Sequence, residues 1–240
     1  MASPLHCPDG MRRALLVLLA VALLAGPGLV AGGRPSPVAA EESCITIEDF
    51  SKAKIGQFPS NWKPRKDAGK EVYTVQEEGG IRFLRALSKS LGIQAAKQFE
   101  EWNVAAYPVL AWSWRPKEFP RGSDERESSL NDSALAVYLL VPYSRIRGPK
   151  AVKYIWSEKV RVGTHLSSNG GLTQVRVLRS GPPEAKDQWV EERVNVLADY
   201  KKLFKESETP KPAGIAVLTD ADDTDSIAAG DYAKFRACRG

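Results

Sequence analysis

Residues 109–115 read VLAWSWR. Leu110, Trp112 and Trp114 recur at every second position, with Ala111, Ser113 and Arg115 between them. A period of two puts three large apolar side chains on one face of an extended strand, whereas a helical period would scatter them. The same pattern extends in both directions. Glu71–Gln76 (EVYTVQ) alternates, Gly79-Gly80 supplies a turn, and Ile81–Leu87 continues as the next strand. Ser133–Val141 (SALAVYLLV) is apolar enough for a buried central strand. Val152–Trp156 (VKYIW), Thr173–Arg179 (TQVRVLR), Gly214–Thr219 (GIAVLT) and Tyr232–Cys238 complete the series. Pro- and Gly-bearing stretches at 116–122, 147–149, 167–171 and 181–183 separate them. Asn195–Lys205 places Val196 and Tyr200 at helical spacing behind Asn195 as N-cap, and Ile93–Trp102 is ambiguous between helix and strand. Many short strands with turn signals and one or two short helices predict an all-β, jelly-roll-like β-sandwich.

The N-terminus reads as an address. Arg12 and Arg13 precede the apolar run Ala14–Leu24, which is well short of the roughly 20 residues a bilayer requires. Gly26-Pro27-Gly28 then breaks any helix, and Val38-Ala39-Ala40 offers small residues for cleavage. The expectation is a signal peptide over residues 1–40, with Ala31 as the alternative cleavage site, Met11 as an alternative start and a single domain over 41–240. Export places the chain in the periplasm or outside the cell. Loss of Arg12, Arg13, Arg34 and Asp9 lowers the formal charge of +5 by two. No basic run remains to track phosphates, so nucleic acid is not an expected partner.

Of 3 Cys, Cys7 leaves with the leader, and Cys44 and Cys238 remain near opposite ends of the domain. In CITIE and KFRAC each Cys falls on the polar face of a terminal strand. If those strands pair antiparallel, the sulfurs meet, and an exported chain favours the disulfide.

A set of residues in order carries a likeness. Phe58-Pro59 is followed by Trp62, then by Tyr107–Trp114 (YPVLAWSW), Asn131-Asp132 and Tyr154-Ile155-Trp156. Ser180-Gly181, Trp189, Asn195, Asp199-Tyr200, Phe204 and Asp220–Thr224 (DADDT) follow. This order resembles the exported bacterial family known as domain of unknown function 3047. That family usually has two Asp where Asn131-Asp132 stands and Asn where Asp223 stands. The resemblance implies an all-β jelly roll similar to galactose-binding-like domains and implies no activity.

The candidate sites follow from chemistry. Asp220, Asp222 and Thr224 are closely spaced hard oxygen donors suited to calcium, although Asp225 stands where an EF-hand loop needs Gly. Trp114, and especially Trp62 and Trp156 near turns or strand ends, are candidate platforms for sugar rings. Arg115 and Asp132 are candidates for a polar clamp. The 2 His include His6 in the leader, which leaves His165 alone. Histidine zinc sites and two-His acid/base pairs are thereby excluded, and no G-x-S-x-G, H-E-x-x-H or P-loop is present. The leading expectation is an exported, non-catalytic domain that binds carbohydrate or envelope polysaccharide. A glycan-active enzyme would need two facing carboxylates, for which Asp132 with Asp220 or Asp222 is the available pair. An envelope assembly protein would instead expose a large apolar patch.

Overall fold

The computed structural model describes residues 43–240, so the leader and its cleavage site lie outside the described residues. In chain order the strands are β1 (Cys44–Glu48), β2 (Lys63–Pro64), β3 (Tyr73–Glu78), β4 (Ile81–Lys89), β5 (Ala95–Gln98), β6 (Val109–Glu118) and β7 (Leu135–Ser144). They continue as β8 (Gly148–Ser157), β9 (His165–Ser168), β10 (Thr173–Ser180), β11 (Val190–Asn195), β12 (Gly214–Leu218) and β13 (Ile227–Cys238). Two helices interrupt them, α1 (Gly69–Val72) and α2 (Val196–Phe204).

The strands form two sheets. One has the order β11-β6-β13-β4-β3, with β1 also pairing β13. The other runs β2-β5-β12-β7-β8-β10-β9 and is antiparallel except for the parallel pair β8/β10. This is the jelly-roll-like β-sandwich expected from the alternation. The ambiguous segment 93–102 resolves as β5, because Ala95 and Ala96 pair with Val217 and Ala216 at the sheet edge. β11 is legible only with its partner β6 in view, since VEERVN carries few apolar residues.

The core fills the space between the sheets. Leu110, Trp112 and Trp114 of β6 face Val152, Tyr154 and Trp156 of β8. Ring centroids lie 5.8 Å apart for Trp112–Tyr154 and 5.7 Å for Trp114–Trp156. Tyr232 of β13 ties the sheets together: its hydroxyl donates to Leu218 O at 2.8 Å and accepts from Ala136 N at 3.2 Å. At the start of α2 the Asn195 side chain accepts from Ala198 N at 2.9 Å, the expected N-cap. Asp199 on that helix does more than solubilise it. Its carboxylate accepts from the buried Tyr154 hydroxyl at 2.9 Å and from the Arg176 guanidinium, which fastens α2 to the second sheet.

The terminal strands meet as the alternation requires. Cys44 lies opposite Cys238 in the β1/β13 register, and the two form a disulfide. Ala237 points into the core and Cys238 to the other face, where Arg193 covers it.

The second sheet is apolar on both faces. Val137 and Leu139 of β7 point inward, and Ala136 and Tyr138 point outward. Ala216 and Leu218 of β12, Ala151 and Ile155 of β8 and Val175 of β10 join that outer cluster. An antiparallel sheet normally presents polar side chains on its outer face. Val160 and Leu166 cover part of this outer cluster.

Candidate functional site

The outer face of the second sheet carries a cleft of about 780 Å³, within the ~300–1,000 Å³ usual for small-molecule sites. Its floor is Tyr138, Leu140, Ala151, Lys153 and Leu218. Lys63, Arg65 and Gln94 line one wall, and Arg147, Asn169 and Thr173 the other. Asn131, Asp220, Asp222 and Asp223 line it as well. Strand alternation explains the floor. Lys153 sits between Val152 and Tyr154, both of which point into the core, so its own side chain points outward. Register then places Tyr138 and Val175 on either side of it. Asp220 lies two residues past the end of β12, bridged to Gly92, and lines the cleft with Leu218.

Lys153 is 7% exposed. Burial works against its ammonium, yet Tyr138, Asp220 and Glu125 together hold its pKa above the ordinary value. Its nitrogen lies 5.7 Å from the centre of the Tyr138 ring.

Three chain segments build the acidic end of the cleft. Asp220 N donates to Ser133 O at 3.0 Å, and Ala221 N to Leu91 O at 3.0 Å, so the loop after β12 is fastened to the segments before β7 and after β4. Asp132 is wholly buried. It accepts from Asp223 N at 3.3 Å, Thr224 N at 2.8 Å and the Thr224 hydroxyl at 2.6 Å. Asn131 donates to Asp223 Oδ2 at 2.6 Å. Carboxylate oxygens of Asp132, Asp222 and Asp223 all lie within 4.8 Å of one another. Burial pushes the Asp220 carboxyl up to about 8; Lys153 opposes this, and Asp222 and Asp132 reinforce it. Burial, Asp132 and Asp222 likewise raise Asp223.

The expected residues divide between this site and the rest of the fold. Asp132, Asp220 and Asp222 come together at the acidic end. Thr224 is beside them, with its hydroxyl bonded to Asp132 and Ser226. The tryptophans do not form platforms. Trp62, Trp114 and Trp156 are at most 3% exposed, because each fills space in the sandwich core. Their indole N–H groups are satisfied internally: Trp62 donates to Glu48 at 3.0 Å, Trp114 to Glu192 at 3.2 Å and Trp156 to Gly181 O at 2.8 Å. Arg115 and Asp132 form no clamp, since Arg115 lies on the first sheet. There it donates to Asp231 at 2.7 Å and Glu78 at 2.6 Å and stacks over Trp189 at 4.4 Å. His165 Nε2 is 2.7 Å from Gln174 Oε1 at the sheet edge.

Sequence reasoning missed Lys153, Tyr138 and Gly92. A lysine inside the apolar run AVKYIW is a signal that could have pointed to Lys153. Gly92 carries no local signal. A Cβ there would overlap Oδ1 of both Asp220 and Asp222, so glycine lets these two carboxylates, remote in sequence, approach the backbone at this point.

The paired-carboxylate chemistry of a glycosidase fits this arrangement poorly. Asp132 and Asp222 are close, and such an enzyme needs both carboxyls facing the scissile bond. Asp132 is buried and turned to backbone amides.

Among solved structures, the chain is similar to a non-crystalline cellulose specific carbohydrate-binding module at 10% identity and TM-score 0.43, covering 82% of this chain and 95% of that one. An ENZbleach xylanase mutant matches at 10% identity and TM-score 0.37, covering 82% and 84%. The family 11 xylanase from Neocallimastix patriciarum matches at 10% identity and TM-score 0.30, covering 75% and 92%. Likenesses this weak transfer no function. No curated protein matches the sequence. A family model described as "Protein of unknown function (DUF3047)" matches residues 60–236, which is most of the chain, and the chain therefore belongs to that family.

Proposed function

We propose that the chain is an exported, non-catalytic binding domain, residues 41–240 after removal of a leader over 1–40, and that it holds carbohydrate or envelope polysaccharide in the cleft of the second sheet. The observation that carries this reading is the cleft itself. An apolar floor lies between walls rich in both donors and acceptors, with Lys153 and Asp220 set into the floor. Hydroxyl-rich ligands offer donors and acceptors together with apolar C–H faces, and that pairing suits this lining. With the tryptophans in the core, binding depends on hydrogen bonds more than on ring stacking. The Cys44–Cys238 disulfide supports export, because such bonds persist in oxidising compartments. The test is a glycan-array screen of the purified chain beside Arg65→Ala and Asn169→Ala, two exposed residues of opposite walls. Selective binding that both variants weaken supports the reading. A blank array, or binding indifferent to both substitutions, overturns it.

A further inference from the structure

Four carboxyl groups meet at the acidic end of the cleft. Asp132, Asp220, Asp222 and Asp223 converge there, and Lys153 is the nearby buried cation. Three of the four place oxygens within 4.8 Å of one another. Calcium takes oxygen ligands at about 2.3–2.6 Å, so ligands on opposite sides of one ion stand up to roughly 5 Å apart. The triad therefore fits around a single ion of that size.

A second observation points to the same place. Asp220 is 7% exposed, and its Oδ1 has no hydrogen-bond partner in the described structure. A buried carboxylate oxygen that no donor of the described residues reaches is satisfied either by a proton shared with the adjacent Asp222 carboxylate or by a bound cation. That oxygen and Asp222 Oδ1 crowd the same point beside Gly92, where a Cβ would overlap both. Thr224 and the amides of residues 223 and 224 hold Asp132 in position. Thr224 thereby orients a ligand instead of supplying one, which alters the donor set expected from sequence.

We propose that Asp132, Asp222 and Asp223, with Asp220 completing the set, bind one calcium ion at the acidic end of the cleft. The ion fastens the loop after β12 to the segments holding Leu91-Gly92 and Asn131-Asp132. This inference is independent of the carbohydrate reading, since the ligands are all groups of the chain.

The test titrates chelator-stripped chain with calcium chloride, by calorimetry and by thermal unfolding, without any glycan. The expected result is one ion per chain, with a dissociation constant of about 10⁻⁴–10⁻³ M as in extracellular modules, and a melting temperature that climbs with calcium. Asp222→Asn and Asp223→Asn alter exposed side chains and are expected to fold, and each weakens binding at least tenfold. Gly92→Ala does the same by filling the space beside both carboxylates. Asp225→Asn, whose carboxylate accepts from Ser90 instead, leaves binding unchanged. Absence of heat and of a melting shift at about 10 mM calcium overturns the proposal, a level roughly tenfold above the weakest affinity expected. Binding undiminished in both Asp222→Asn and Asp223→Asn overturns it equally.

Discussion

Replacing Cys44 and Cys238 together by Ala is expected to cost about 5 kcal/mol of stability on the chain-entropy relation. The disulfide closes a loop between residues 194 apart, almost the whole folded domain. For a loop of that length the relation gives about 18 cal/mol/K removed from the unfolded ensemble, or about 5 kcal/mol at 25 °C. For a domain of this size each kcal/mol shifts the melting temperature by about 2–4 °C, so the double variant melts about 10–20 °C lower. Urea unfolding followed by tryptophan fluorescence measures the loss directly. The slope against urea should rise, because the chain without its cross-link exposes more surface when unfolded. Ligand binding by the folded variant should not change, since the disulfide is on the first sheet and the cleft on the second. A loss below about 1 kcal/mol would show that the two ends are already confined in the unfolded state and would refute the reasoning.

Other predictions address the core and the buried charges. Trp62→Ala empties space beside Phe50 and Phe235 and costs about 3–5 kcal/mol in urea unfolding, while the folded fraction keeps its ligand affinity. Loss of affinity without loss of stability would instead return Trp62 to the site. Glu48→Ala leaves Phe50 N and Trp62 Nε1 without their acceptor and costs about 2–4 kcal/mol by the same assay; a cost below about 1 kcal/mol contradicts the structural role. Burial raises the Glu125 carboxyl, against the opposing Ser157 hydroxyl. A carboxyl whose folded pKa exceeds its unfolded value contributes stability at low pH and loses it as pH rises through the folded value. Unfolding free energies of wild type and Glu125→Gln should therefore shift in favour of the variant as pH rises from about 4.5 through the folded value, and a constant difference would refute the assignment.

The parts of the fold legible in the sequence were those with a local physical signature. A period of two in VLAWSWR and TQVRVLR specifies strands, and GIAVLT, a short run apolar at nearly every position, is a strand buried on both faces. Asn195 marks the start of α2 because its side chain satisfies an otherwise free amide. The Cys positions on the terminal strands gave the disulfide for the same reason of alternation. The site was less legible. Asp132, Asp220 and Asp222 announced their chemistry as hard oxygen donors, but their convergence depends on strand pairing across distant segments. The tryptophans were ambiguous because one residue type serves both a core and a sugar platform. Trp62 and Trp156 are near turns in sequence yet lie inside the sandwich, Trp62 against Phe50 and Phe235 and Trp156 against Trp114. Lys153 was hidden inside a strand whose neighbours are apolar, and Gly92 is explained only by carboxylates far along the chain.

The most direct test of the binding reading is a two-dimensional amide NMR titration with the oligosaccharide that the array selects. The expected result is a contiguous set of shifting amides on the second sheet, including Tyr138, Lys153, Thr173 and Asp222. Shifts confined to the opposite sheet, around Arg115 and Trp189, would contradict it.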